Sequence, residues 1–166
     1  MPTKLPSPDF TAILPAIGPP SAWIRFRPMA IAFSDQWAQA WGAALNQSQT
    51  YREAAATWEG SIAVVATDGS AAPPGAAVFL DVWHGQCRGA REATGADIEG
   101  ADFVLEASPA AWKQVLASQM SPVMALLTGQ VTLARGELTR LLPYAAAAKE
   151  LVSLAGTIDT QFPPSW

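Results

Sequence analysis

Charged residues, histidine and cysteine are scarce in this chain. Of its 166 residues only 14% are charged, and it has one histidine and one cysteine; globular domains usually have about 25% charged residues. A single histidine excludes a multi-histidine metal site and a pair of histidines acting as acid and base. A single cysteine, Cys87, excludes an intramolecular disulfide, which favours a reducing compartment, so we expect a cytoplasmic location.

Long apolar runs and basic runs are also missing. No stretch approaches the roughly 18 apolar residues of a membrane span, and prolines interrupt the N-terminus where a signal peptide needs an apolar segment. The formal net charge is -4, so release of counterions from nucleic acid would be small and nucleic acid is not an expected partner. Half of the residues of the chain are hydrophobic, and its length suits one domain with a sizeable core.

The sequence motifs of common enzymes are absent: phosphate loop, dinucleotide fingerprint, zinc-binding cysteines and nucleophile elbow. The nearest approach to a reactive cluster is Asp81, His84 and Cys87, each three residues from the next. If residues 77–84 form one strand, Asp81 and His84 point to opposite faces. We therefore expect no enzyme, no cofactor and no metal. A thiol- or metal-dependent enzyme that uses Cys87 and His84 is the last-ranked of three hypotheses on function.

The first half of the chain predicts an arm, two helices and three strands. Residues 1–32 are proline-rich, and we expect an extended arm packed on the domain. A helix begins at Ser34, because Trp37, Trp41 and Leu45 recur at helical spacing. A short second helix is expected from the capping spacing of Thr50 and Glu53. Strands are predicted at residues 62–67, 77–83 and 86–93.

The second half changes from strand to helix. A loop is predicted at 94–101 and a strand at 103–107, and then Ser108-Pro109 and Ser121-Pro122 each give the start signal of a helix. A last strand at Val131 to Leu133 and a final helix from about Tyr144 to Leu154 complete the pattern. The order of elements predicts an α+β fold, with helices largely on one face of the sheet.

Flexible apolar side chains are dense in the two short helices after the fourth strand. Methionine adapts its shape to irregular partners, so Met120 and Met124 suit the wall of a pocket that holds a chain-like ligand. The same residues would also make an ordinary core, and composition alone leaves both alternatives open.

Several segments of the sequence resemble the sterol carrier protein 2 (SCP2) sterol-binding domain family. In the second half they are Gly100–Trp112 (GADFVLEASPAAW), Ser121–Gly129 (SPVMALLTG), Val131–Leu133 (VTL) and Gly136–Leu138 (GEL). The earlier segments Phe33–Trp37, Asn46–Glu59 and Asp81–Arg88 are similar to a prokaryotic branch of that family. One extra residue between Gly129 and Gly136 departs from the family pattern and predicts a bulge in the last strand.

The resemblance implies a five-stranded sheet covered by helices, with an apolar tunnel between them and no reaction. It divides the chain into an arm at 1–32, a lipid-binding domain at 33–156 and a tail at 157–166. Carried over position by position, it predicts these ligand-binding residues in the tunnel wall: Trp112, Leu116, Met120, Met124, Leu127, Leu133 and Leu141.

Two hypotheses on function rank above the thiol- or metal-dependent enzyme. The first is non-catalytic binding, and intracellular transfer, of a fatty acid, acyl-CoA, phospholipid or sterol-like lipid, with transient membrane contact. The second is an accessory domain with a filled core that organises a partner enzyme. They differ in whether the interior is open to a ligand.

Overall fold

A computed structural model describes residues 29–69 and 76–166. The apolar runs of the sequence form a five-stranded mixed sheet. Residues 1–28 of the arm predicted at 1–32 lie outside the described residues, and its last four residues include β1. In chain order the elements are β1 (Ala30–Ile31), α1 (Asp35–Gln47), α2 (Gln49–Ala54), β2 (Glu59–Ala66), β3 (Ala77–Trp83), β4 (Gln86–Glu92), α3 (Gly95–Gly100), β5 (Phe103–Ala107), α4 (Pro109–Leu116), α5 (Pro122–Leu127), β6 (Val131–Arg135), α6 (Leu138–Leu141), a 3-10 turn (Leu142–Tyr144), α7 (Ala145–Ala155) and β7 (Thr160–Gln161).

The sheet has the strand order β4-β3-β2-β5-β6. The middle strand β2 is antiparallel to β3 and parallel to β5, and the two outer pairs are antiparallel. A strand covered on both faces has a continuous apolar run rather than an alternating one. The segment Ile62 to Ala66 is such a run, and all five of its residues are buried. The expected α+β fold is confirmed.

Two apolar layers cover the sheet, one on each face. The larger layer contains Val64 and Leu80 from the strands and packs against α1, α4, α5 and α7. The smaller layer contains Ala63 and Val104 and is covered by Ile98 of α3. The prediction of a loop at 94–101 was wrong, because Thr94 and Asp97 form a capping box that starts this helix.

Serine side chains determine where four of the helices begin. Ser34, Ser108 and Ser121 each accept a hydrogen bond from the backbone N–H three residues later, as predicted for α1, α4 and α5. For α2 the cap is Ser48, whose side chain accepts from the Tyr51 N–H, so the predicted start at Thr50 was two residues late.

The last strand contains the predicted bulge. Leu105 pairs with Leu133 and Val104 pairs with Arg135, which leaves Ala134 as an extra residue in β6. Gly136 follows with φ +97°, and a Cβ atom there would lie 2.3 Å from the ring of the buried Phe103. Only glycine fits at this position without displacing that ring.

The two ends of the described chain meet beside α1. β1 and β7 form a parallel two-stranded sheet in which Ala30 pairs with Thr160. Trp166 packs against Phe33 with ring centroids 5.1 Å apart. The segment that follows the final helix therefore packs on the core, a contact that the sequence did not predict. Within residues 29–69 and 76–166, no helix has the length and apolarity needed to cross a membrane.

Candidate functional site: an apolar cavity between sheet and helices

An internal cavity of about 100 Å³ lies between the larger apolar layer of the sheet and the helices that cover it. Its floor comes from β2, β5 and β6, through Ile62, Val64, Leu105 and Val131. Its walls come from the α-helices, the 3-10 turn and the segment between α2 and β2. The wall residues include Trp37, Trp41, Tyr51, Trp58, Trp112, Leu127, Leu141, Leu142, Tyr144, Ala147 and Ala148.

Four tryptophans line the cavity with carbon only, because each indole N–H is bonded to a protein oxygen. Trp37 Nε1 donates to Thr160 Oγ1 at 2.8 Å and Trp41 Nε1 donates to the Leu151 carbonyl at 2.9 Å. The remaining two bonds run from Trp58 Nε1 to Gly60 O at 3.0 Å and from Trp112 Nε1 to Val65 O at 2.8 Å. An indole whose N–H is already satisfied presents an apolar surface to a neighbour.

Apart from the tryptophan N–H groups, the polar side-chain groups of the residues that line the cavity are the hydroxyls of Tyr51 and Tyr144. Burial raises the pKa of Tyr51, so its phenol stays neutral. In the part of the chain that the structure describes, every fully buried side-chain nitrogen or oxygen has a hydrogen-bond partner. A wall that is almost entirely apolar favours an apolar occupant.

The seven residues predicted from the sequence divide into two groups. Trp112, Leu116, Leu127 and Leu141 line the cavity. Met120 and Leu133 are partly buried and pack against the larger layer, and Met124 is 52% exposed on α5. The structure does not place these last three side chains on the cavity wall, and ligand contact stays a prediction for all seven.

Sequence reasoning missed the part of the wall that α1 and α7 supply. Trp37 and Trp41 were assigned to a buried helical face, which is correct, but periodicity does not reveal that the face borders an empty volume. From α7, Ala145, Ala147 and Ala148 line the cavity, and their small side chains leave room there.

Two exposed apolar side chains mark a mouth of the cavity, Leu127 of α5 and Leu142 of the turn after α6. Leu127 and Leu142 both line the cavity, yet they are 60% and 45% exposed. The wall beside this mouth is thin: Ala125 is the one fully buried residue of α5, and α6 and the turn that follows it have none. Segments with few buried apolar contacts open at low cost.

The reactive cluster suggested by sequence spacing does not assemble. Asp81 accepts a hydrogen bond from Arg88 at 2.8 Å, and His84 Nε2 lies 2.7 Å from a carboxylate oxygen of Glu59. Cys87 donates from Sγ to the Gly89 carbonyl at 3.3 Å, and burial raises the pKa of its thiol. A nucleophilic cysteine needs a lowered pKa and an adjacent base.

Metal binding has no support from side-chain placement in residues 29–69 and 76–166. No three His, Cys, Asp or Glu side chains come together there in a group that could hold an ion.

The fold and cavity define a class: a small α+β domain with a carbon-lined cavity between its sheet and its helices. Comparison of the sequence with family profiles matches the SCP-2 sterol transfer family over residues 42–136, more than half of the chain. The chain belongs to the SCP-2 sterol transfer family. That match covers the sheet and α4 and α5, and leaves out α7.

Two solved structures are similar to this chain over most of its length. One is a crystal structure of sterol carrier protein 2, with 45% identity, a TM-score of 0.67, and coverage of 76% of this chain and 98% of that chain. The other is the solution structure of a conserved hypothetical protein of Thermus thermophilus, described as a candidate sterol carrier protein, with 43% identity, a TM-score of 0.67, and coverage of 81% and 93%. A search of curated proteins gives no significant match.

Proposed function

We propose that this protein binds the hydrocarbon chain of a lipid in the cavity and carries it, without catalysing a reaction. The observation that supports this most is the wall itself: four tryptophans with their N–H groups already bonded, together with aliphatic side chains, around a volume with an exposed apolar mouth. An apolar chain loses no hydrogen bond on entering such a volume. Burial of about 14 methylenes at roughly 0.8 kcal/mol each would contribute about 11 kcal/mol before association costs.

The cavity must widen to accept such a ligand. Its volume is about 100 Å³, whereas sites for ligands of drug size have roughly 300–1,000 Å³. We propose that α5 and α6 move outward, because these helices have one buried residue between them and flank the mouth. Such a movement separates little fully buried surface, which keeps its cost low, and burial of the chain offsets that cost.

Calorimetric titration of the protein with dodecanoate tests this function. Binding at one site, with a negative heat-capacity change and a change in tryptophan fluorescence, is the expected result, because apolar area is buried beside four indoles. No heat and no fluorescence change with dodecanoate or an acyl-CoA would favour the accessory domain with a filled core.

Leu127→Glu should weaken dodecanoate binding by about tenfold, since a carboxylate at the mouth must be partly desolvated when the hydrocarbon chain packs beside it. The free energy of unfolding should change by less than about 0.5 kcal/mol, because Leu127 is 60% exposed. Met29→Glu is the matched control, an exposed apolar residue that does not line the cavity. Equal losses of affinity and stability at Leu127 would contradict a role for the cavity.

We also propose that transient membrane contact occurs at this mouth, because the exposed Met124, Leu127 and Leu142 surround the route into the cavity. Met124→Glu should slow the uptake of a fluorescent fatty acid from phosphatidylcholine vesicles by about fivefold, since a charge then opposes contact with the bilayer. Its affinity for soluble dodecanoate should not change, as Met124 does not line the cavity. Loss of soluble affinity would instead place Met124 in the ligand site, as the sequence predicted.

A further inference from the structure

A second, polar cleft of about 360 Å³ adjoins the apolar cavity. It is lined by Thr57, Trp58, Glu59, Arg140, Pro143 and Tyr144. Trp58 and Tyr144 line both spaces. A carbon-lined volume and a volume with a charged wall are therefore separated by two aromatic side chains.

Tyr144 is oriented at this boundary by contacts at both ends of its side chain. Its ring packs edge-on against Trp58, with centroids 4.9 Å apart and planes at 85°. Its hydroxyl donates to the Thr57 carbonyl at 3.1 Å and lies 2.9 Å from Thr57 Oγ1. The polar end of Tyr144 thus belongs to the cleft, while its ring also borders the cavity.

Arg140 is a cation of the cleft without an acidic partner. Its guanidinium carbon lies 5.0 Å from the centroid of the Phe103 ring. The ion pairs found in residues 29–69 and 76–166 join Arg88 to Asp81, Arg91 to Asp97 and His84 to Glu59, and none includes Arg140. The guanidinium lies over the ring, and among the described residues none accepts a hydrogen bond from its N–H groups. Such donors suit a carboxylate or phosphate.

Glu59, the acidic residue that lines the cleft, already contacts another side chain. A carboxylate oxygen of Glu59 lies 2.7 Å from His84 Nε2, at a site where both side chains are about half exposed. Glu59 thus has its own partner, whereas the charge of Arg140 has none among the described residues. A carboxylate or phosphate in the cleft would accept from the N–H groups of Arg140, for which no described residue acts as acceptor.

We propose that this cleft binds the anionic head group, a carboxylate or a phosphate, of the lipid whose chain enters the cavity, with Arg140 as the residue that binds the charge. This inference rests on the proposed function. The chain would pass Trp58 and Tyr144 to reach the carbon-lined volume, and the head group would stay in the cleft against Arg140. The protein then selects acidic single-chain amphiphiles over neutral ones of the same length.

The test compares dodecanoate, dodecyl phosphate and dodecanol by calorimetry with the full chain and two variants. Arg140→Gln should weaken binding of the two anions by about fivefold, because a charge-assisted contact at a partly exposed site is lost. Its affinity for dodecanol should stay within about twofold. Arg88→Gln is the matched control, since Arg88 also lies over an aromatic ring, at 4.9 Å from the Trp83 centroid, but lines neither space.

A second variant of Arg140 and a competition experiment distinguish a head-group site from a general effect on lipid binding. Arg140→Lys keeps the charge and should retain most of the affinity for the anions. Inorganic phosphate should not displace dodecanoate, since without a chain it gains nothing from the cavity. If Arg140→Gln binds all three amphiphiles as the wild type does, or loses all three equally, the head-group site is overturned and the carrier function stands. If the wild-type protein binds none of them, the carrier function fails as well.

Discussion

Replacing Trp37 by alanine should lower the free energy of unfolding by about 3–5 kcal/mol. Trp37 is fully buried, packs against Phe33 and Trp41 with ring centroids 5.3 and 5.1 Å away, and lines the cavity. Its removal merges the space of the indole with the existing cavity, so the surrounding side chains cannot close the gap. It also removes the hydrogen bond to Thr160 that ties β7 to α1.

Urea unfolding followed by circular dichroism measures this loss. Trp83→Ala is the matched control, because Trp83 is 38% exposed at the end of β3 and should cost less than about 1 kcal/mol. Similar losses for both variants would contradict the assignment of the α1 tryptophans to the wall of the core.

Filling the cavity from α7 should abolish most ligand binding while the fold stays intact. Ala147 is buried and lines the cavity, so Ala147→Leu places three more carbon atoms in the volume that the lipid needs. Exclusion of three to four methylenes at about 0.8 kcal/mol each corresponds to an affinity about a hundredfold lower. The stability should change by less than about 1.5 kcal/mol, because the new side chain enters an empty space.

The control for this variant lies one residue away. Ala146 is exposed on the other side of α7 and does not line the cavity, so Ala146→Leu should leave affinity unchanged. Calorimetry with dodecanoate and urea unfolding, carried out on both variants, separate binding from stability. An Ala147→Leu protein that binds as tightly as the wild type would show that the ligand does not use this volume.

Local signals explain why most elements were predictable. The starts of α1, α4 and α5 depend on one serine each, and that serine is visible in the sequence because it precedes a helical apolar pattern. β3 and β5 are bounded by turn residues and have the predicted limits. α3 was missed because its capping box precedes a helix that buries no residue completely, so no apolar periodicity accompanies it.

Contacts between residues that are far apart in the sequence could not be predicted from local patterns. The pairing of Ala30 with Thr160 joins two-residue strands that have no pattern of their own. The cavity depends on small alanines of α7 facing large tryptophans of α1, and each of these patterns alone is typical of an ordinary core. The cleft was missed for the same reason: Arg140 and Glu59 are far apart in sequence and meet only because α6 lies beside the start of β2.

Native mass spectrometry of the purified protein, followed by organic extraction and lipid identification, tests the central claim most directly. We expect the wild-type protein to have a mass increased by one acyl lipid, and Ala147→Leu prepared in the same way to have the mass of the bare chain. A bare mass for the wild type, with no change in tryptophan fluorescence on addition of fatty acid or acyl-CoA, would contradict the carrier function.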